Sequence, residues 1–145
     1  MKTLRLVLLI TAAIVLLAGC SYKGPKTNPG PTTTLIDTYW KLVAIDGNEV
    51  TTPQDAKEAH LILRPDYRVT GFGSCNAFSG TWQIIDEQLE FGPLAATKMA
   101  CDRLDLEYAF MAALDGLVIT EIEGGMLVIT GREGAELTFK AMYFQ

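Results

Sequence analysis

From Tyr39 onward, apolar and polar side chains alternate in short runs separated by Gly, Pro, Asn and Asp, the pattern of strands with one buried face. Residues 39–45 put Trp40, Leu42 and Ala44 on one side and stop at the turn signal Asp46-Gly47-Asn48. Residues 60–64 and 67–72 flank Pro65-Asp66 and predict a hairpin. Residues 78–85 alternate through Phe78, Gly80, Trp82 and Ile84, and residues 88–91 pair with them across Asp86-Glu87. Three more runs, 117–122, 126–130 and 137–144, are broken by Gly124-Gly125 and by the stretch from Gly131 to Gly134. About seven or eight short strands in tight succession predict an antiparallel meander that curls into a partly open β-barrel. Gly71, Gly73 and Gly80, inside strand-like stretches, predict bulges or corners where the sheet bends.

One segment has a different period. Residues 102–115 read DRLDLEYAFMAALD, with Leu106, Ala109, Phe110, Ala113 and Leu114 at helical spacing. Asp102 is the expected N-cap, acids fill the first turn, and Gly116 supplies the stop. From Tyr108 to Leu114 the helix is apolar nearly all round, which predicts a buried helix plugging a barrel end. The expected class is therefore mainly β, a partly open antiparallel barrel with one packed α-helix.

The first nineteen residues do not belong to this pattern. Lys2 and Arg5 precede an apolar run from Leu6 to Ala18 broken only by Thr11. That run is shorter than the roughly 20 residues needed to span a bilayer and fits a signal peptide of about 7–15 apolar residues. It ends in Leu17-Ala18-Gly19-Cys20, which resembles the lipobox of bacterial lipoproteins. The expectation is a signal peptide over residues 1–19 and a lipid anchor at Cys20, with a diacylglycerol thioether and an N-acyl chain such as palmitate. Residues 20–34, rich in Pro and Gly and without apolar periodicity, read as a tether, and residues 35–145 as the domain. Ser21, where an Asp would retain such lipoproteins in the inner membrane, is similar to outer-membrane lipoproteins facing the periplasm.

Composition adds exclusions. With 145 residues and 49% hydrophobic content, the chain is no disordered tail. Its net charge of -5 becomes more negative by two once Lys2 and Arg5 leave with the signal peptide. An acidic domain without a basic run repels phosphate backbones, so no nucleic-acid partner is expected. A monomer with at most an envelope protein partner is the simplest expectation.

Two cysteine-containing stretches carry a family resemblance. Gly71-Phe72-Gly73-Ser74-Cys75-Asn76-Ala77-Phe78-Ser79-Gly80 follows the pattern G-x-G-x-C-N-x-F-x-G, and Thr97 to Cys101 follows T-x-M-A-C. Trp40 and Leu42 in the first strand, Glu107 before the apolar part of the helix, and Leu137 and Phe139 in the last strand complete it. The chain resembles the META domain family, the module of HslJ-like heat-shock envelope lipoproteins. The resemblance implies a small partly open barrel with one helix and a role in envelope stress or antibiotic tolerance. It brings no catalytic residues with it. The implied fold is also similar to that of secretin pilot lipoproteins, which hold acyl chains in a cracked barrel.

Lipidation of Cys20 leaves Cys75 and Cys101 as an even pair, which an oxidising envelope compartment would join in a disulfide. The closed loop would contribute about 3.5 kcal/mol on the chain-entropy estimate. Two buried free thiols or a redox-active pair are the competing readings, the latter without the Cys-x-x-Cys spacing that would favour it. No metal site is expected, since two distant cysteines and the single His60 do not make a zinc set. No cofactor or catalytic residue is expected either, because one histidine and no nucleophile elbow leave a hydrolase triad without a base. Asp86-Glu87, Asp102, Asp105 and Glu107 fall in a turn and a helical first turn. There charge has local reasons, and Glu107 reads as an exposed partner of Arg103. Asn76 is expected to cap or turn the chain. Two functions remain: a structural or protein-binding envelope lipoprotein, and a carrier of an acyl chain or other apolar ligand in the barrel. Whether Trp40, Trp82, Phe110 and Met111 fill the interior or line an empty slot separates them.

Overall fold

The structure, a computed structural model, describes residues 33–143; the expected signal peptide, the expected lipidation site Cys20 and the expected tether as far as residue 32 lie outside them. The elements in chain order are β1 Tyr39–Ile45, β2 Asn48–Glu49, β3 His60–Leu63, β4 Arg68–Phe72, β5 Ala77–Ile85, β6 Gln88–Phe91 and β7 Ala95–Ala96. Helix α1, Leu104–Ala113, then leads into β8 Gly116–Glu123, β9 Met126–Thr130 and β10 Glu136–Met142. Eight strands form an antiparallel circuit, β1-β3-β4-β5-β6-β8-β9-β10, and β10 pairs back onto β1 from Tyr39↔Met142 to Ile45↔Leu137. The expected barrel is thus present, and its hydrogen-bonded circuit is closed rather than partly open. Closure leaves no long edge strand in the wall.

Alternation built most of the wall, with one interruption. The β1 ladder shifts register between Leu42 and Ala44. Trp40 and Leu42 therefore point into the core, whereas Ala44, expected on the same side, does not follow them inward. The glycines expected to mark bends mark close approaches instead. A Cβ on Gly71 would lie 2.3 Å from both the His60 carbonyl oxygen and the Phe78 ring, and one on Gly80 would lie 2.6 Å from Leu94.

The interior is filled by side chains. Trp40, Leu61, Leu63, Val69, Leu89, Leu127, Ile129, Leu137 and Phe139 are fully buried, and α1 adds Phe110 and its C-cap Leu114. The Phe110 ring meets Phe78 edge-on at 5.7 Å and Phe139 at 5.8 Å. Both buried indoles find acceptors: Trp40 Nε1–H donates to the Leu35 carbonyl (3.0 Å) and Trp82 Nε1–H to the Arg64 carbonyl (3.1 Å). Met111, expected inside, is only partly buried and packs at the edge of this core.

The helix sits where expected, with corrections. Its N-cap is Arg103 without a side-chain capping bond, not Asp102. It is also one-sided: Glu107, Phe110 and Ala113 are buried, while Tyr108 is 64% exposed. Helix α1 closes the barrel end formed by the β4–β5 and β9–β10 turns. A Cβ on Gly131 would come within 2.6 Å of the Ala113 carbonyl oxygen. The opposite end carries the β3–β4, β5–β6 and β8–β9 turns. There the chain enters, with Thr33 Oγ1 2.6 Å from the Tyr143 hydroxyl and near Gly125.

Candidate functional site

The β4–β5 turn, Gly73-Ser74-Cys75-Asn76, is where the sequence motifs meet. Ser74 has φ +119°, a conformation L residues rarely adopt. The turn is held by the Gly73 N–H on the Asn76 carbonyl (2.8 Å) and by Ser74 Oγ–H on the Arg103 carbonyl (2.9 Å). This conformation points two successive backbone N–H groups the same way, an anion-binding nest. The occupant is the protein's own carboxyl group. Glu107 Oε2 accepts from Cys75 N–H (3.1 Å) and Asn76 N–H (2.6 Å), while Oε1 accepts from Asn76 Nδ2 (2.8 Å). Gly73 lacks a side chain because a Cβ there would lie 2.6 Å from Glu107 Cγ.

Asn76 is the hub. Its Nδ2 also donates to the Met99 carbonyl (3.2 Å), and its Oδ1 accepts from Thr97 Oγ1 (2.8 Å) and Met99 N–H (2.6 Å). All four positions of the amide are used. Cys75 and Cys101 are joined in a disulfide, with Cα atoms 6.0 Å apart. The two motifs and Glu107 therefore form one latch that fixes α1 and residues 97–101 to the barrel end. The expected exposed Arg103–Glu107 pair is absent: Glu107 is 5% exposed and faces inward. Sequence reasoning missed this role. The available signal was that Glu107 shares a helical face with Phe110 and Leu114, positions that had to point inward.

Outside the latch runs an open groove of about 600 Å³ between residues 96–100 and α1. Its walls include Met99 and Tyr108, 59% and 64% exposed, with Leu104 and Met111. Glu107 and Asn76 form its floor, but their polar atoms are committed to one another.

His60 lies elsewhere, on the outer wall. Its ring stacks on Tyr39 at 4.3 Å, and Nδ1 is 3.0 Å from the Glu58 carbonyl oxygen. Burial pushes its pKa below the ordinary 6.5, with Lys57 adding to the fall and Glu58 opposing it. Burial, and then the neighbouring Glu58 carboxylate that accepts its hydroxyl, push Tyr39 well above the ordinary tyrosine range. Glu58 also pairs with Lys41 Nζ at 2.6 Å. Among the described residues, no three His, Cys, Asp or Glu side chains come together as a metal site.

A closed eight-stranded barrel, stoppered by one helix that a buried glutamate locks to a Gly-x-Cys-Asn turn, defines a class of small, mainly β domains. The META domain model matches residues 33–142, and the chain belongs to the META domain family. No curated protein matches the chain. Among solved structures it is similar to a protein from Burkholderia xenovorans determined by NMR. That protein shows 26% identity and a TM-score of 0.61, covering 84% of this chain and 99% of that one. A second NMR structure, 21% identical with a TM-score of 0.61, covers 74% of this chain and 94% of the other and shares the fold.

Proposed function

We propose that this protein is a lipid-anchored bacterial envelope protein whose META domain works without catalysis, by structural or protein contacts, in envelope stress or antibiotic tolerance. The observation that carries this reading is the occupied interior. Trp40, Phe110 and Phe139 fill it, so an acyl chain has no slot of the kind a carrier needs. The polar groups of the family motif are likewise spent on the latch and are not free for chemistry. What remains accessible and apolar at the motif is the outer groove beside Met99 and Tyr108.

Native mass spectrometry of the full chain extracted from envelopes tests the reading, with Cys20→Ser as control. The expected mass is that of the chain from Cys20 with its covalent acyl groups, unchanged when the protein is denatured, and Cys20→Ser should leave the membrane fraction. Additional mass that disappears on denaturation would instead establish a carrier. A wild-type chain without acyl groups would end the anchor assignment.

A further inference from the structure

On β5 and β8 four isoleucines face water, Ile84 and Ile119 at 54%, Ile122 at 39% and Ile85 at 37% exposure; Ile84, Ile85 and Ile122 lie by the turns opposite α1, and Ile119 sits farther along the wall, opposite Thr130. Strand register shows why they are together. Ile85 pairs with Gln88, and one step beyond the Leu89↔Val118 pair Gln88 lies beside Ile119, so the three form a row on the outer wall. Ile84 shares the inward face with Trp82, and Ile122 pairs with the buried Leu127, but both sit at the rim, beyond the cover of the core.

Among the described residues, the charged side chains on β5, β6 and β8 and in the turns that join β5 to β6 and β8 to β9 are all acidic. Asp86 and Glu87 form the β5–β6 turn, Glu90 lies on β6, and Glu121 and Glu123 lie on β8. No Lys or Arg occurs from Val69 to Thr97 or from Leu104 to Gly131, so β5, β6, β8 and β9 contain none. The ion pairs Lys41–Glu58, Arg64–Asp37 and Arg68–Asp66 use other acids. An exposed apolar face of this kind marks an interaction surface, and its rim selects the partner's charge.

We infer that this isoleucine face docks a cationic amphipathic polypeptide segment, its apolar side chains covering Ile85 and Ile119 and its Lys or Arg residues meeting the surrounding carboxylates. A second copy would bring the same acidic rim against itself, and an anionic lipid surface would be repelled. This surface lies on the β5, β6 and β8 wall and shares no residue with the groove beside Tyr108, so the test is independent of that groove and of the anchor.

The full chain in a neutral detergent would be titrated with a labelled helical peptide of Leu and Lys, and with the same peptide carrying Glu for Lys. The Lys peptide should bind saturably and weaken as ionic strength rises from about 0.05 to 0.5 M, and the Glu peptide should not bind. Glu121→Lys with Glu123→Lys, and separately Ile119→Ser, should each weaken binding about tenfold or more. Tyr108→Ser should leave it unchanged. Equal binding of both peptides, or parental affinity in both patch variants, would overturn the inference. So would a chain dimer that Ile119→Ser dissolves, or binding of the chain's isoleucine face to anionic vesicles.

Discussion

Glu107 is a carboxyl group placed among three inward-pointing donors, and its removal would orphan all of them. Each buried donor left without a partner costs about 1–3 kcal/mol. Glu107→Ala should therefore lower unfolding stability by about 3 kcal/mol or more in chemical denaturation. Glu107→Gln, which keeps one acceptor oxygen, should lose less. A change within about 0.5 kcal/mol, as for an exposed helix residue, would show the latch contributes nothing. His60 gives a pH signature. Its folded pKa is below 6.5, so between the two values the unfolded chain binds more protons and stability rises with pH. The contribution is complete above about pH 6.5 and is lost as pH falls toward the folded value. Unfolding midpoints of the parent should fall across that window, and His60→Phe should remove that part of the slope. At the β5–β6 turn, Asp86 and Glu87 have φ of +48° and +66°, which Asn-Gly adopts at lower cost. The double replacement Asp86→Asn, Glu87→Gly should raise stability by about 0.5–1 kcal/mol, measured by the same denaturation.

Helix α1 shows how an element can be found and its orientation still misjudged. Phe110 touches Phe78 and Phe139 inside the barrel, so Phe110→Ala should cost about 3–5 kcal/mol, whereas Tyr108→Ala should stay within about 0.5 kcal/mol. Thermal or denaturant melts of the two variants separate these outcomes directly. The sequence located the helix because Leu106, Phe110 and Ala113 recur at helical spacing. It hid the buried face because Ala109 and Ala112 are apolar on the other side, and because the inward position 107 is a glutamate. The strands were legible for the opposite reason: in Trp40-Lys41-Leu42 and Gly80-Thr81-Trp82, inward and outward positions differ sharply. The bulge at Leu42/Ala44 and the left-handed Ser74 carry no such mark, since each depends on partners distant in sequence. For the site, the motifs pointed to the right turn, while the glycine at position 73 gained its reason only when Glu107 arrived from thirty-four residues away.

For the molecule as a whole, the Cys75–Cys101 bridge ties the β4–β5 turn to the segment just before α1, across 26 residues. Cys75→Ser or Cys101→Ser should lower stability by about 2–5 kcal/mol, and reductant should lower the parent toward the variants. Coincident melts of parent and variants, with and without reductant, would contradict this. The entry point of the chain has a further consequence. Thr33 lies by Gly125 and Tyr143, at the end away from the helix. The first and last described residues thus meet through the Thr33–Tyr143 hydrogen bond, and the domain fastens there like a necklace at its clasp.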